Sequence, residues 1–230
     1  MSLSAFEWRP AGVDALTLVF GEQMDGTVWA RLLGLYRHLD EHPLPGIIEV
    51  IPSYTTLYVR FDPGTHTHEA LARTLGILAD RATHTADAPG PLVEIPVWYD
   101  PRVGPDLERI AREHGISIDE VIAIHSEREY RVYAIGFAPG FGYLGEVDRR
   151  IATPRLATPR LKIPAGSVAL ANTQTAVYPS ESPGGWNLLG RTFVTMFDPD
   201  RKDASLLHPG DRVRFVPISY EAYRDGGGEV

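Results

Sequence analysis

The chain has 230 residues, 43% of them hydrophobic, and carries 22 basic against 30 acidic side chains for a net charge of −8; that is enough for one large domain or two modest ones. The complete lack of cysteine excludes disulfides, Fe–S ligation and thiol catalysis and fits a reducing cytosol. The acidic balance argues against nucleic acid as a partner, and there is neither an apolar run of about 20 residues to span a membrane nor a start with signal-peptide order, so a cytoplasmic setting is expected.

In chain order, residues 15–20 predict a short strand. Residues 27–40 follow as a helix with Val28, Leu32, Leu35, Tyr36 and Leu39 on one stripe, ended by Pro43 and Pro45. Strands over 47–51 and 55–61 flank a turn at Ser53 and Tyr54, and Ala70, Leu71, Leu75 and Leu78 mark a second helix over 67–81. The Pro- and Gly-containing stretch 83–91 is the best linker candidate. Residues 1–90 therefore predict a small α/β sandwich domain in which both helices cover one face of a sheet.

Residues 91–230 predict a second, β-rich domain. A strand over 93–98 leads into two short helices, 105–114 and 118–125, the second opened by a capping box of Ser117 with Glu120. Short strands follow over 130–137, 167–171, 174–178, 187–189, 193–197 and 212–216, split by Gly and Pro turns, a pattern of barrels and sandwiches. Residues 136–191 are so dense in glycine and proline that the backbone path is dictated almost residue by residue, and such paths usually line sites.

The same stretch is a basic island. Arg131, Arg149, Arg150, Arg155, Arg160, Lys162 and Arg191 face only Glu146, Asp148 and Glu181 between residues 130 and 191, which suggests a small anionic or amide ligand. Thr153-Pro154-Arg155-Leu156 recurs five residues on as Thr158-Pro159-Arg160-Leu161. In an extended segment that odd offset sends Arg155 and Arg160 to opposite sides, while Arg160 and Lys162 share one side with Leu161 and Ile163 turned to the core. Alternation likewise puts Gln174, Ala176 and Tyr178 on one face, with space over the alanine. After Ser182 and Pro183, Gly184 and Gly185 bring backbone N–H groups within reach of a neighbour, and Trp186 supplies a flat apolar face.

No G-x-x-x-x-G-K-[ST] phosphate loop, G-x-S-x-G elbow or H-E-x-x-H motif occurs. His66 and His68 at a helix start read as exposed rather than as metal ligands, and His125 as a complement to a helix dipole. No complete catalytic set is present.

Taken together, the run Gly136–Leu144, the Thr-Pro-Arg repeat, Pro164–Val168, Gln174-Thr175 and Tyr178-Pro179 through Trp186 resemble the family of the bacterial 5-oxoprolinase B subunit. That family also takes in the Kip-type sporulation kinase inhibitor and proteins labelled allophanate hydrolase subunit 1, and it is similar to half of the carboxyltransferase domain of urea carboxylase. The resemblance implies an α+β protein with a C-terminal cyclophilin-like β-barrel of the carboxyltransferase C and D type. It also implies work alongside a homologous C subunit together with an A subunit of another fold, with self-association possible. The reaction implied is ATP-dependent opening of 5-oxoproline to glutamate, with ATP and Mg acting at the level of the complex and no activity in the isolated chain. Alternatives are a histidine-kinase inhibitor and a urea carboxylase or allophanate hydrolase-like amidolyase component, the latter bringing biotin.

The site expected from these motifs has Arg160, Lys162 and Gln174 as catalytic groups and no metal. Phe137, Pro139, Gly140, Phe141, Gly166, Ser167, Tyr178, Ser182, Gly184, Gly185 and Trp186 are expected to contact substrate. Against the family pattern, Asn172, Ala169 and Ala176 stand where glycine is usual. Asn172 still reaches the left-handed region, whereas Ala176 narrows the gap between Gln174 and Tyr178.

Overall fold

The computed structural model describes residues 6–23, 25–82 and 90–230. The chain forms two compact units, Met1–Pro89 and Gly90–Val230. The linker expected over 83–91 lies, up to residue 89, outside the described residues.

The first unit is a four-stranded antiparallel sheet in the order β1-β2-β4-β3, built from β1 (Glu7–Pro10), β2 (Ala15–Val19), β3 (Ile47–Ser53) and β4 (Thr56–Phe61). Helices α1 (Gly26–Glu41) and α2 (His68–Ala82) pack on each other. Asp25 caps α1 by accepting the Val28 N–H at 2.8 Å, and Trp29, Leu32, Leu35, Leu71 and Leu75 are buried with Leu16, Leu18, Leu57 and Val59. Strand β1 escapes sequence reading because most of its residues are exposed and no alternation marks it. His66 and His68 spend their Nε2 atoms on backbone carbonyls, at 2.8 Å on Pro45 and 3.0 Å on Gly12.

The second unit contains β5 (Leu92–Val97), α3 (Leu107–His114), α4 (Ile118–Ser126), β6 (Tyr130–Ile135), β7 (Gly142–Gly145), β8 (Arg160–Ile163), β9 (Ser167–Ala171), β10 (Gln174–Val177), β11 (Ser182–Gly184), β12 (Asn187–Arg191), β13 (Arg212–Pro217) and α5 (Tyr220–Asp225). Seven strands form one sheet in the order β12-β9-β10-β7-β6-β13-β5. Its two ends meet where Trp98 and Arg191 exchange backbone hydrogen bonds of 2.9 and 3.0 Å, so the sheet rolls into a barrel. Closure removes the exposed edges that an open sheet would present. The α+β class and the C-terminal barrel are as the sequence predicts, and the capping box at Ser117 and Glu120 is formed.

Alternation divides the strands between two cores. Val168, Leu170 and Val177 face the main core with Ile110 and Val121 of the helices and Tyr130 and Phe215 of the sheet. Ala169, Ala171, Ala176 and Tyr178 face a second, aromatic cluster with Phe141, Ile163 and Trp186. Asn172 adopts φ 53 in the β9–β10 turn, the left-handed conformation expected of it.

Residues 193–197 are not a strand. The Thr192 N–H goes to the Gly166 carbonyl and the Val194 N–H to the Thr192 hydroxyl, so local bonds claim donors that a ladder needs; only Phe197 forms a bridge, to Ser205. Among the described residues no helix is long and apolar enough to cross a membrane.

Candidate functional site

The aromatic cluster is assembled from three pieces of the Gly- and Pro-rich stretch. The β6–β7 turn is closed by the Gly136 N–H on Phe141 O and the Phe141 N–H on Ala138 O, both 3.0 Å. Phe137 (φ 71) and Gly140 (φ 79) take left-handed conformations there. This throws Phe137 outward, 62% exposed, while Phe141 is buried. Phe137 stands edge-on to Phe141 at 5.1 Å and to Tyr178 at 6.4 Å. Phe141 in turn meets Tyr143, Tyr178 and Trp186 edge-on at 5.0, 5.5 and 5.7 Å. These T-shaped contacts are the arrangement that ring quadrupoles favour. Pro139 is exposed beside them.

A two-stranded ribbon of β8 and β11 covers the cluster. Gly184 lies so close that a Cβ there would collide with the Tyr178 hydroxyl and come 2.8 Å from Ile163 Cδ1. At Gly185 the nearest atom would be 3.6 Å away, an ordinary contact. The ribbon carries a bulge. Ser182 pairs with Ile163 and Gly184 with Arg160, so Leu161 and Lys162 together oppose Pro183.

The bulge corrects the expected facing. Leu161 is not turned to the core but is 88% exposed, and Lys162 points outward with it, paired at 3.2 Å with exposed Glu181. Arg160 and Ile163 face inward instead. Arg155 and Arg160 are not separated either, because residues 154–159 are not a strand. Arg155 lies over the Trp186 ring at 5.6 Å, and Arg160 reaches the Trp186 carbonyl at 3.4 Å.

Arg160 is anchored by a group that sequence reading missed. Its Nη2 meets buried Asp106 at 3.0 Å, and Asp106 also accepts the Leu188 N–H at 2.8 Å. Arg109 lies 3.6 Å from the same carboxylate and donates to Asn187 Oδ1; the Asn187 amide bonds the Pro154 and Leu170 carbonyls. The Asp-x-x-Arg spacing at a helix start was a visible signal for part of this network; its partners lie some 80 residues away.

Tyr178 and Trp186 are buried, so the expected flat indole face is covered rather than open. Burial raises the Tyr178 pKa, opposed by a hydrogen bond from the Trp186 backbone N–H and by the charges of Arg155 and Arg160; Tyr178 is a neutral phenol at physiological pH. The Ser182 hydroxyl is buried without a partner. Gln174 stands apart: it begins β10 opposite Gly145 and Ala171, four residues or roughly 13 Å from Tyr178 along the strand. Gly166 and Ser167 lie beneath Tyr178, whose backbone bonds both at 2.8 and 2.9 Å. The Ser167 hydroxyl is spent on the Pro164 carbonyl.

His125 is fully buried on the main-core side. Tyr99 Oη meets its Nδ1 at 2.7 Å and Thr175 Oγ1 its Nε2 at 2.9 Å. Thr175 itself donates to Ala169 O, so Nε2 carries the proton and the Tyr99 hydroxyl donates to Nδ1. Burial lowers the His125 pKa to about 3. The ring is therefore neutral, and the dipole role predicted for it does not apply.

A rolled barrel with an aromatic cluster under a proline-rich cationic ribbon defines a class: residues 6–207 match the model of the carboxyltransferase domain, subdomain C and D. The chain belongs to that family. It is 40% identical to the 5-oxoprolinase B subunit of Bacillus subtilis (strain 168), over 96% of this chain and 97% of that protein. The crystal structure of TTHA0988 is similar at 41% identity and a TM-score of 0.80, over 90% of this chain and 40% of that one. The urea amidolyase of K. lactis shares the fold, with 20% identity and a TM-score of 0.71 over 95% of this chain and 15% of that one.

Proposed function

We propose that the protein is the B subunit of an ATP-dependent 5-oxoprolinase, opening 5-oxo-L-proline to L-glutamate with a homologous C subunit together with an A subunit of another fold. The observation that carries this reading is likeness along nearly the whole chain to proteins named as the B subunit of 5-oxoprolinase. The setting is the cytoplasm, the assembly is a hetero-oligomer, and the isolated chain is inactive.

A lactam is a stable amide, so water opens the ring only after activation. Ring opening breaks the C–N bond with one water, whose oxygen ends in the new carboxylate and whose proton goes to the amine, and a second water is consumed as ATP becomes ADP and phosphate. ATP with Mg belongs to the complex, since this sequence holds no phosphate loop, and biotin has no place in this reaction. What the chain supplies is charge and orientation. Arg155 and Arg160 converge on the Trp186 and Tyr178 edge of the cluster, where fixed cations stabilise negative charge developing on an amide or phosphoryl oxygen. The second half of the site comes from the partner.

The test is reconstitution: this chain is mixed with the purified A and C subunits, 5-oxo-L-proline, ATP and Mg, and glutamate is measured. Glutamate should form only when all three polypeptides are present. Undiminished formation without this chain overturns the proposal.

A further inference from the structure

The barrel seam also shapes a cleft, which begins where the ribbon strand β8 ends. Pro164, Ala165, Gly166 and Pro179 form one wall, residues 191–195 the floor, and Tyr223 with Gly227, Gly228 and Glu229 the outer wall, around about 370 Å³. That is within the usual range for small-molecule sites, roughly 300–1,000 Å³. The seam is rigid. Gly166 (φ 77) lies so near the Thr192 carbonyl that a Cβ would collide with it, and the Arg191 backbone is fixed by its two bonds to Trp98.

Among the described residues, Arg191 is the one cation lining the cleft, and its charge is not neutralised. Its Nη1 donates to the Glu229 backbone carbonyl at 3.2 Å, and a hydrogen bond links it to the Tyr223 phenol. Its Nε is buried with no partner. Among the described residues it forms no ion pair; the carboxylate of Glu229, the acid on the rim, is not within bonding reach of it. Tyr223 is itself occupied, donating to Glu229 O at 2.7 Å, and burial raises its pKa, so it stays neutral. Because Nε is closed off from the cleft, an anion would meet the guanidinium at its Nη end, where a fixed cation without an acidic partner favours a carboxylate. Pro164, Pro179, Phe193 and Val194 offer apolar walls to the rest of such a ligand. The outer wall is contributed by residues beyond 207, where the family match ends.

We infer that this cleft binds a small carboxylate with a compact apolar body through Arg191. The ligand class follows from the cleft; the choice of 5-oxo-L-proline as probe rests on the function proposed above. The test is a two-dimensional amide and Arg side-chain NMR titration of the full chain with 5-oxo-L-proline and, separately, with 2-pyrrolidinone, the same ring without the carboxylate. Saturable shifts are expected at Gly166, Arg191, Phe193 to Thr195 and Gly227 to Glu229, with 2-pyrrolidinone weaker by roughly ten-fold or more, the size of one charge-assisted contact. Arg191→Gln should weaken the carboxylate by a similar factor and Arg191→Lys should restore part of it, with spectra unchanged elsewhere. Absent shifts, shifts centred elsewhere, equal binding of the neutral ring, or an unaffected Arg191→Gln protein each overturn the inference. If Arg191→Gln fails to fold, the two wild-type titrations decide. Loss of the cleft result with glutamate still formed by the reconstituted enzyme removes this inference alone. Cleft binding without any glutamate formation removes the proposed reaction alone.

Discussion

At the residue scale, two buried polar groups make opposite demands. His125 is kept neutral by burial, with a folded pKa of about 3 against an unfolded value of about 6.5. Because the unfolded chain takes up this proton first, stability is intact above pH 6.5 and falls as pH drops toward 3, by about 1.4 kcal/mol per unit. Urea melts at pH 7.5 and pH 5 should differ by about 2 kcal/mol from this residue. His125→Gln should start lower and show a correspondingly flatter dependence; an identical slope would contradict the assignment. Asp106, by contrast, is buried and paired with Arg160 at 3.0 Å, with Arg109 3.6 Å away. Replacing Arg160 with Met removes one of two cations from the buried carboxylate, which keeps Arg109 and the Leu188 N–H, and should cost about 1.5–3 kcal/mol. Adding Asp106→Asn should recover at least about 0.5 kcal/mol in a double-mutant cycle read by denaturant unfolding; strictly additive losses would mean that the pair is not coupled.

At the element scale, the ribbon works because Gly184 lets β11 lie directly on Tyr178. Gly184→Ala should destabilise the barrel by about 1–3 kcal/mol through overpacking, and Gly185→Ala next to it by less than about 0.5 kcal/mol. Thermal melts of the two proteins check this, and equal losses would refute the close approach. The ribbon also shows where sequence reading stops. Alternation over β10 was legible, and Ala176 and Tyr178 do share the aromatic cluster while Val177 faces the main core; β9 is buried on both faces, so its facing was not written in the sequence. The capping box before α4 was legible because it is local. The facing of Leu161 and Lys162 was not, since it depends on a bulge set by a partner strand some 20 residues on. The false strand at 193–197 has ideal β composition, but its backbone is engaged elsewhere: the Val194 N–H by the Thr192 hydroxyl, the Thr195 carbonyl by Arg201 and the Met196 carbonyl by the Leu206 N–H.

At the scale of the whole molecule, the barrel was predictable from short strands and punctuating turns, and the family from ordered motifs. The grouping of the candidate face was legible in part: Phe137, Phe141, Tyr178, Gly184, Gly185, Trp186 and Arg160 do lie together. Gln174 and Lys162 do not join them, and although the Asp106–Arg109 spacing was readable, its meeting with Asn187 and Leu188 was not, because it joins segments about 80 residues apart.

The central claim is that the aromatic and cationic face beneath the ribbon acts in the assembled enzyme. Glutamate formation by the A and C subunits with the Asp106→Asn/Arg160→Met protein tests it most directly, because that pair of changes removes the inward cation without leaving a buried charge behind. The account predicts a folded protein with turnover at least about ten-fold below wild type, the loss expected for one charge-assisted contact. Turnover equal to wild type would contradict it.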